Sequence, residues 1–265
     1  MPSVSNIAIG ANLAAAAADK ARHGMNESIT RLSTGIRAMY GGDAAGHSVG
    51  TTHSADGKSY AAATRNIEDG ISYLQTGESV LLEVANLAVR LRELGIAYDN
   101  NALLDANQTA AQDAEAAVIF DTVDALLDRT KFNNVEVVDS AAAKQVNIAY
   151  EGDAGTTFAS GPNKSITAVK TQTAANGADG HADTLLGEVA EALGNIAADL
   201  TALKAFQGAS SATSANLMAT AARVMDTDFA EETASLTKNA ILNQAALSMA
   251  AQANQAQSAI LSVLQ

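Results

Sequence analysis

Side chains able to bind metals or transfer protons are few in this sequence and form no recognisable constellation. The four histidines are His23, His47, His53 and His181. They lack the i, i+4 spacing that places two ligands on one helix face, and they lack the His-Glu-x-x-His pattern of zinc enzymes. Glu68–Asp69 and Glu231–Glu232 are carboxylate pairs, but adjacent residues point to different faces of a helix. We therefore predict no enzymatic activity, no metal and no cofactor.

The charge balance argues against several kinds of partner. Sixteen Lys and Arg face 29 Asp and Glu, which gives a formal net charge of −13. Nucleic acids and anionic membranes attract basic surfaces, so neither is expected to bind this chain. No cysteine is present, which rules out disulfides and thiolate metal sites.

Both ends of the chain are uncharged and apolar. Asn239–Gln265 carries an apolar stripe in steps of four and three residues, the period of a coiled-coil seam. The predicted assembly core consists of Ile7, Ile9, Leu13, Leu242, Ala246, Met249, Ala253, Ala256, Ile260 and Val263. Asn and Gln recur too often between the apolar residues for a membrane span. We expect this surface to meet other copies of the chain.

The amino-terminal stretch Met1–Ala18 is uncharged, and it lacks the basic region and cleavage site of a secretory signal. We therefore expect no cleaved signal peptide.

The remaining pattern predicts a mainly α protein. Only 4% of residues are aromatic, and the two prolines are Pro2 and Pro162. Apolar periodicity predicts helices at about 5–33, 47–98, up to 129, and from 182 onward, loosened at 208–214. Gly35 is the predicted stop of the first helix. Short alternating stretches at 135–137, 146–150 and 165–169 predict β-hairpins.

These elements predict an elongated antiparallel helical bundle or coiled coil with a small β-hairpin insert. We expect residues 1–40 and 225–265 to pair as terminal helices. Residues 41–224 then form a separate helical bundle that includes a hairpin and loop insert at 133–180.

Six blocks of sequence resemble one family, the bacterial flagellins. They stand in the order found in that family, at both ends of the chain. In order, the blocks include SITRLSTGIR at 28–37 with DAAG at 43–46, RNIEDGIS at 65–72 with QTGE at 75–78, RLREL at 90–94, TKFNN at 130–134, RVMDTDFA at 223–230 and QAN at 252–254.

The resemblance implies a compact flagellin that lacks the large outer domains of many relatives. Its paired termini would form the inner filament core and its central bundle the surrounding shell. The chain would be exported through the flagellar type III channel and would self-assemble outside the cell into the filament used for swimming. Implied partners are further copies of the chain, an export chaperone, and the hook-filament junction and cap proteins.

The resemblance also implies roles for particular residues. Arg90, Leu94 and Glu115 match positions that contact a neighbouring subunit or the innate receptor Toll-like receptor 5. Arg90 paired with Glu93 or Glu115 in a subunit salt bridge is the preferred interpretation. Residues in the insert of related proteins are often O-glycosylated. The candidates here are Thr156, Thr157, Ser160, Ser165, Thr171 and Thr173.

Two alternatives remain open from the sequence. A flagellar hook-filament junction protein has similar termini but forms only a short ring. A non-polymerising coiled-coil binding module would show the same apolar stripes, since such stripes usually form ordinary bundle cores.

Overall fold

Five helices make up most of the computed structural model, which describes residues 2–37, 43–138, 143–148, 157–162, 166 and 174–264. The helices are α1 Pro2–Thr34, α2 Ala44–Tyr98, α3 Ala106–Arg129, α4 Ala178–Met225 and α5 Phe229–Leu264. A short 3₁₀ turn, Asn101–Leu103, follows α2. The predicted mainly α fold is confirmed.

Two small antiparallel hairpins form the β structure of the insert. Strand β1 (Lys131–Phe132) pairs with β2 (Val135–Glu136), and β3 (Lys144–Asn147) pairs with β4 (Thr157–Ser160). The first hairpin turns through two asparagines with positive φ, 47° and 63°, which asparagine tolerates better than most residues. The sequence did not predict β4. The predicted piece at 165–169 lies outside the described residues except for Ile166, which is fully buried.

The chain divides into two compact units. One comprises Met1–Ala55 with Leu217–Gln265, and the other Asp56–Asn216. Helices α2 and α4 each contribute residues to both units. The roles predicted for the paired termini and for the central bundle, inner core and shell, stay predictions.

The unit 56–216 is built around one apolar core. Buried residues of α2 include Leu74, Leu81, Val84, Ala88 and Leu91, in the predicted steps of three, four and seven. The buried residues of α3 are the five predicted ones, Ala116, Ile119, Phe120, Val123 and Leu127. Those of α4 include Leu185, Val189, Ala192, Ile196 and Leu203. Burying each large side chain stabilises the fold by about 1.5–3 kcal/mol, so these stripes hold the helices together.

The expected loosening at 208–214 was wrong, because α4 is continuous there. Two serines of this stretch are buried and donate hydrogen bonds: Ser210 to the Ile148 carbonyl at 3.3 Å and Ser214 to the Gly57 carbonyl at 2.7 Å. Small side chains therefore serve close packing here, and their hydroxyls stay satisfied.

Helix ends follow local side-chain chemistry. Gly35, with φ +71°, follows the last residue of α1, as predicted for the stop. Asp105 begins α3 with a capping box completed by Gln108. A break that the sequence pattern did not reveal separates α4 from α5, where the Asp228 carboxylate accepts from the Ala230 and Glu231 amides. These polar ends fix where each helix begins.

Candidate assembly surface

Helices α1 and α5 lie side by side and run antiparallel. Gly24 lies against Asn239, and Arg31 against Glu232. Each step toward the amino terminus of α1 is therefore a step toward the carboxyl terminus of α5. The two segments predicted to pair thus form an antiparallel helix pair within the chain.

The seam between the two helices is lined by small residues. Ala14, Ala18 and Ala21 of α1 are buried, as are Ser28 of the same helix and Ala246 of α5. Small side chains let two helix backbones approach closely, but each buries little apolar area. The pair is therefore held by many weak contacts.

Large apolar side chains of the same two helices lie on the outside, with 48% to 71% of their surface exposed. They are Ile9, Leu13 and Ile29 of α1 and Phe229, Ile241, Leu242, Leu247 and Met249 of α5. So many exposed large apolar side chains are uncommon on proteins that remain monomeric. Together these exposed residues are called the outer face below.

The predicted assembly residues divide between these two surfaces. Ala246 is buried in the seam and Ala253 is half-buried. The exposed ones are Ile9, Leu13, Leu242, Met249 and Ala256. The side chains outside the described part of the structure are those of Ile7, Ile260 and Val263. Sequence spacing detected a stripe, but not which of two adjacent stripes faces the partner helix.

Two polar side chains of α5 lie in the seam with α1, where sequence reasoning did not place them. Glu232 is buried at 9% exposure, and the Oδ1 atom of Asn243 is buried with no hydrogen-bond partner in the part of the chain that the structure describes. Heptad spacing continued toward the amino terminus of α5 from Ala246 reaches Asn243, Asn239 and Glu232. That extension was the available signal.

The chain segments that follow α1 and α4 are tied together by backbone hydrogen bonds. The Arg37 amide donates to the Met225 carbonyl at 2.7 Å, and the Thr227 amide to the Gly35 carbonyl at 2.9 Å. The Arg37 guanidinium bonds Asp43 at 2.9 Å. These contacts hold the end of α1 next to the start of α5.

Asp43 stands at the start of α2 and accepts a hydrogen bond from the Gly46 amide at 2.8 Å. This bond, helped by Arg37, lowers the pKa of the Asp43 carboxyl. The carboxylate thus stabilises the first turn of α2 in its ionised form. A cavity of about 260 Å³ beside it also borders Thr227, whose hydroxyl is buried without a partner among the described residues.

Arg90 and Glu115 meet within one chain. The guanidinium donates two hydrogen bonds to Glu115, at 2.7 and 2.9 Å, and one to Glu93 at 2.9 Å. Glu115 is the main cause of a raised pKa for Arg90, with Glu93 adding to it. Leu94 is buried at 5% exposure. The predicted contact surface thus includes an intramolecular ion-pair cluster, while Leu94 belongs to the core.

The candidate glycosylation residues differ in accessibility. Thr157 is exposed at the start of β4. Ser160, at the end of the same strand, is fully buried and presents no accessible hydroxyl in this conformation. Outside the described residues lie Thr156, Ser165, Thr171 and Thr173. Of the described candidates, only Thr157 offers an accessible acceptor.

Within the described ranges, no three His, Asp or Glu side chains gather in a way that could hold a metal ion. None of the helices described is both long and apolar enough to cross a bilayer.

Comparison with known proteins places the chain in one family. A model of the bacterial flagellin N-terminal helical region matches residues 6–143, and one of the bacterial flagellin C-terminal helical region matches residues 186–264. Flagellin from Halalkalibacterium halodurans is 30% identical over 249 residues, covering 90% of this chain and 91% of that protein.

Two further relatives agree with this placement. Bacillus subtilis flagellin is 29% identical over 279 residues, covering 90% of this chain and 92% of its own length. The flagellar filament core protein flaB2 of Brachyspira hyodysenteriae is 29% identical, covering 87% and 88%. Such mutual coverage fits the compact form without large outer domains. With both helical regions matched and relatives aligned over most of its length, the chain belongs to the bacterial flagellin family, the structural proteins that build the flagellar filament.

Proposed function

We propose that this chain polymerises through the outer face of α1 and α5 into the extracellular flagellar filament that drives swimming. The observation that carries the proposal is the difference between the seam and the outer face of α1 and α5. Small residues such as Ala14, Ala18 and Ala246 meet inside the chain, whereas eight large apolar residues are left exposed. We expect neighbouring copies of the chain to pack against that face.

The apolar side chains of this face can contribute to a weak contact between two copies of the chain. Fully burying a large apolar side chain is worth about 1.5–3 kcal/mol, and these side chains are roughly half exposed, so each offers about 1 kcal/mol. Eight of them together approach what a weak pairwise contact requires. In a polymer the contact recurs at every subunit, and a head-to-tail arrangement that does not close gives an open helical filament.

The test replaces outer-face residues without touching the seam. Leu242→Gln with Met249→Gln should leave the helix content of the soluble chain unchanged, because both side chains are exposed. Filament yield should fall at least tenfold. Circular dichroism measures the helix content, and sedimentation with electron microscopy measures the filaments.

A matched control on the same helix is Gln244→Asn with Gln252→Asn, which changes exposed amides only. Filaments from the control should be normal. If the apolar-to-Gln variant also formed normal filaments, the outer face would not be the assembly surface. Short rings from the unmodified chain would favour a hook-filament junction protein, and no assembly at all a coiled-coil binding module.

The proposal extends to partners and export. We infer export through the flagellar type III channel without a cleaved signal peptide, with an export chaperone covering the apolar terminal helices beforehand. The hook-filament junction and cap proteins would bound the polymer at its two ends. A purely structural role, with no catalytic activity, accords with the scattered histidines. The exposed Arg90–Glu115 pair would contact a neighbouring subunit, or Toll-like receptor 5 when the chain is unpolymerised.

A further inference from the structure

An acidic cavity lies beside the start of α5, and we propose that it binds the Lys238 ammonium group of a second copy of the chain. The proposal rests on the polymer proposed above and names one contact between its subunits. Lys238 stands seven residues after Glu231, which lines the cavity. Each copy therefore carries both the cation and the cavity on one face of α5, so the contact can repeat from subunit to subunit.

The cavity carries an excess of negative charge. Its volume is about 260 Å³, and five carboxylates and three guanidinium groups line it. Two of the guanidinium groups already face carboxylates of the same cavity, Arg37 on Asp43 at 2.9 Å and Arg31 on Glu232 at 3.6 Å. Since no three acidic or histidine side chains of the described residues are grouped to hold a metal ion, an organic cation is the better ligand.

Two residues of the cavity have hydrogen-bonding capacity left over. The Glu231 side chain is exposed and forms no ion pair within the part of the chain that the structure describes. Thr227 is 7% exposed, and its hydroxyl is buried with no hydrogen-bond partner among the described residues. A buried hydroxyl without a partner is costly. An ammonium group donates three hydrogen bonds, so it can bond the Thr227 hydroxyl oxygen and the Glu231 carboxylate together.

Lys238 is the one basic residue of α5. It is exposed, and the described residues give it no ion pair. Leu242, one helical turn further along the same side of the helix, belongs to the outer face. A neighbouring copy that covers Leu242 therefore also removes water from Lys238. Because an unpaired buried charge is strongly unfavourable, the ammonium group then needs a carboxylate.

The terminal helices leave few carboxylates for Lys238. No acidic residue occurs between Asn239 and Gln265. Helix α1 has two, Asp19 and Glu27, and an arginine of the same helix already faces each of them. Within its own chain, Glu231 lies two helical turns away, about 10 Å along the axis, which is too far for an ion pair. The cavity of a neighbouring copy is therefore the site for Lys238.

The test exchanges the two charges between separate chains. Lys238→Glu brings a carboxylate to the acidic cavity, and Glu231→Lys places a cation inside it. Each variant alone should form at least tenfold fewer filaments than the unmodified chain, because like charges then meet at every contact. Mixed in equal amounts, the two variants should form filaments again, because alternating chains join opposite charges.

Lys20→Glu is the matched control, since Lys20 is the other lysine of the two terminal helices and is also exposed. Its mixture with Glu231→Lys has the same total charge as the test mixture. Sedimented filaments of the control mixture should exclude the Glu231→Lys chains, which mass spectrometry of the pellet measures. Circular dichroism of each soluble variant should show unchanged helix content, because all three side chains are exposed.

A second measurement keeps the natural side chains. Filaments are formed from a mixture of unlabelled and isotopically labelled chains, and a carbodiimide then joins lysines to carboxylates in direct contact. We expect a cross-link between Lys238 of one chain and Glu231 of another, seen as a product that contains one labelled and one unlabelled peptide.

The outcomes separate this contact from the polymer itself. If the unmodified chain forms filaments but the two exchanged variants do not assemble together, the contact is wrong and the polymer stands. The absence of the mixed cross-link from those filaments would also overturn the contact, as would Glu231→Lys chains that assemble with the Lys20→Glu control. An unmodified chain that forms no filaments would overturn the polymer and the contact with it.

Discussion

At Gly95 the end of α2 lies close to the backbone at the start of α4. A Cβ atom there would lie 2.3 Å from the backbone nitrogen of Asp179 and 2.9 Å from its Cα. Because these are backbone atoms, the neighbouring chain cannot move aside as a flexible side chain would. The requirement for glycine thus comes from a contact between residues far apart in sequence.

Gly95→Ala should lower the free energy of unfolding by about 1–3 kcal/mol through overpacking. Gly194→Ala is the control, since nothing lies within 4 Å of a Cβ at this exposed α4 position. That substitution should raise stability by about 0.5–1 kcal/mol, the usual cost of a glycine inside a helix. Urea unfolding measures both. Equal behaviour of the two variants would contradict the close approach.

Asp199 holds the backbone that follows β4 by accepting a hydrogen bond from the Gly161 amide at 2.9 Å. Desolvation raises the pKa of its carboxyl, although the Gly161 bond opposes the shift. A raised folded-state pKa means that the folded protein favours the protonated acid. The contribution of Asp199 to stability is therefore present below its unfolded pKa of 3.8 and is lost as the pH rises through the folded pKa.

Asp199→Asn keeps an acceptor for Gly161 without a charge. Its stability relative to the unmodified protein should be similar near pH 3 and should increase toward neutral pH. Thermal unfolding across that range gives the difference, with the exposed Asp121→Asn as the control. A difference that shrinks as the pH rises would show that the hydrogen bond outweighs the desolvation.

At the level of helices, the end of each element is set by a few polar contacts. The Asp105 carboxylate accepts from the amides of Asn107 and Gln108, at 2.8 and 2.9 Å, while the Gln108 side chain accepts from the Asp105 amide at 3.1 Å. These bonds satisfy amides that have no partner within the helix. They decide where α3 starts after the turn that follows α2.

Asp105→Ala should lower the free energy of unfolding by about 0.5–2 kcal/mol, the usual value of an N-cap. The exposed Asp121→Ala, within α3, provides the comparison and should change stability by less than about 0.5 kcal/mol. Chemical denaturation monitored by circular dichroism tests the pair. Equal losses for both substitutions would mean that the capping box adds nothing.

Long helices and part of the β insert were predictable from sequence, whereas strand β4 was not. The five buried residues of α3 follow from period alone, because a helix that packs on one core must turn one stripe toward it. Strand β4 escaped prediction since four residues carry too little pattern, and its pairing with β3 spans a long connection. The break between α4 and α5 also escaped, because Asp226–Asp228 resembles any polar turn of a helix surface.

For the assembled protein, we expect substitutions in the seam between α1 and α5 and on their exposed surface to have different effects. Ala246 is buried between α1 and α5, whereas Ala256 is exposed on the single chain. Ala256→Asp should leave the fold of the monomer intact and abolish polymerisation, since burying an unpaired charge at each subunit contact costs about 3 kcal/mol or more. Ala246→Asp should instead separate the two helices.

Circular dichroism of the soluble chain and electron microscopy after induced polymerisation distinguish these outcomes. The unit 56–216 should stay helical in both variants, because neither residue belongs to it. Normal filaments from the Ala256→Asp variant would show that the carboxyl-terminal stripe is not part of the assembly surface.

Composition and periodicity by themselves determined that this chain is mainly helical and that its termini carry apolar stripes in coiled-coil steps. Six blocks of sequence carried the resemblance to one family. These properties depend on residues that lie close together in the sequence. Only the tertiary structure decided which stripe each terminal helix presents to the other. Leu242 and Asn243 are adjacent and both fit a helical period, but a close antiparallel approach at Gly24 admits only small and polar residues. That approach turns Asn243 inward and leaves Leu242 on the outside.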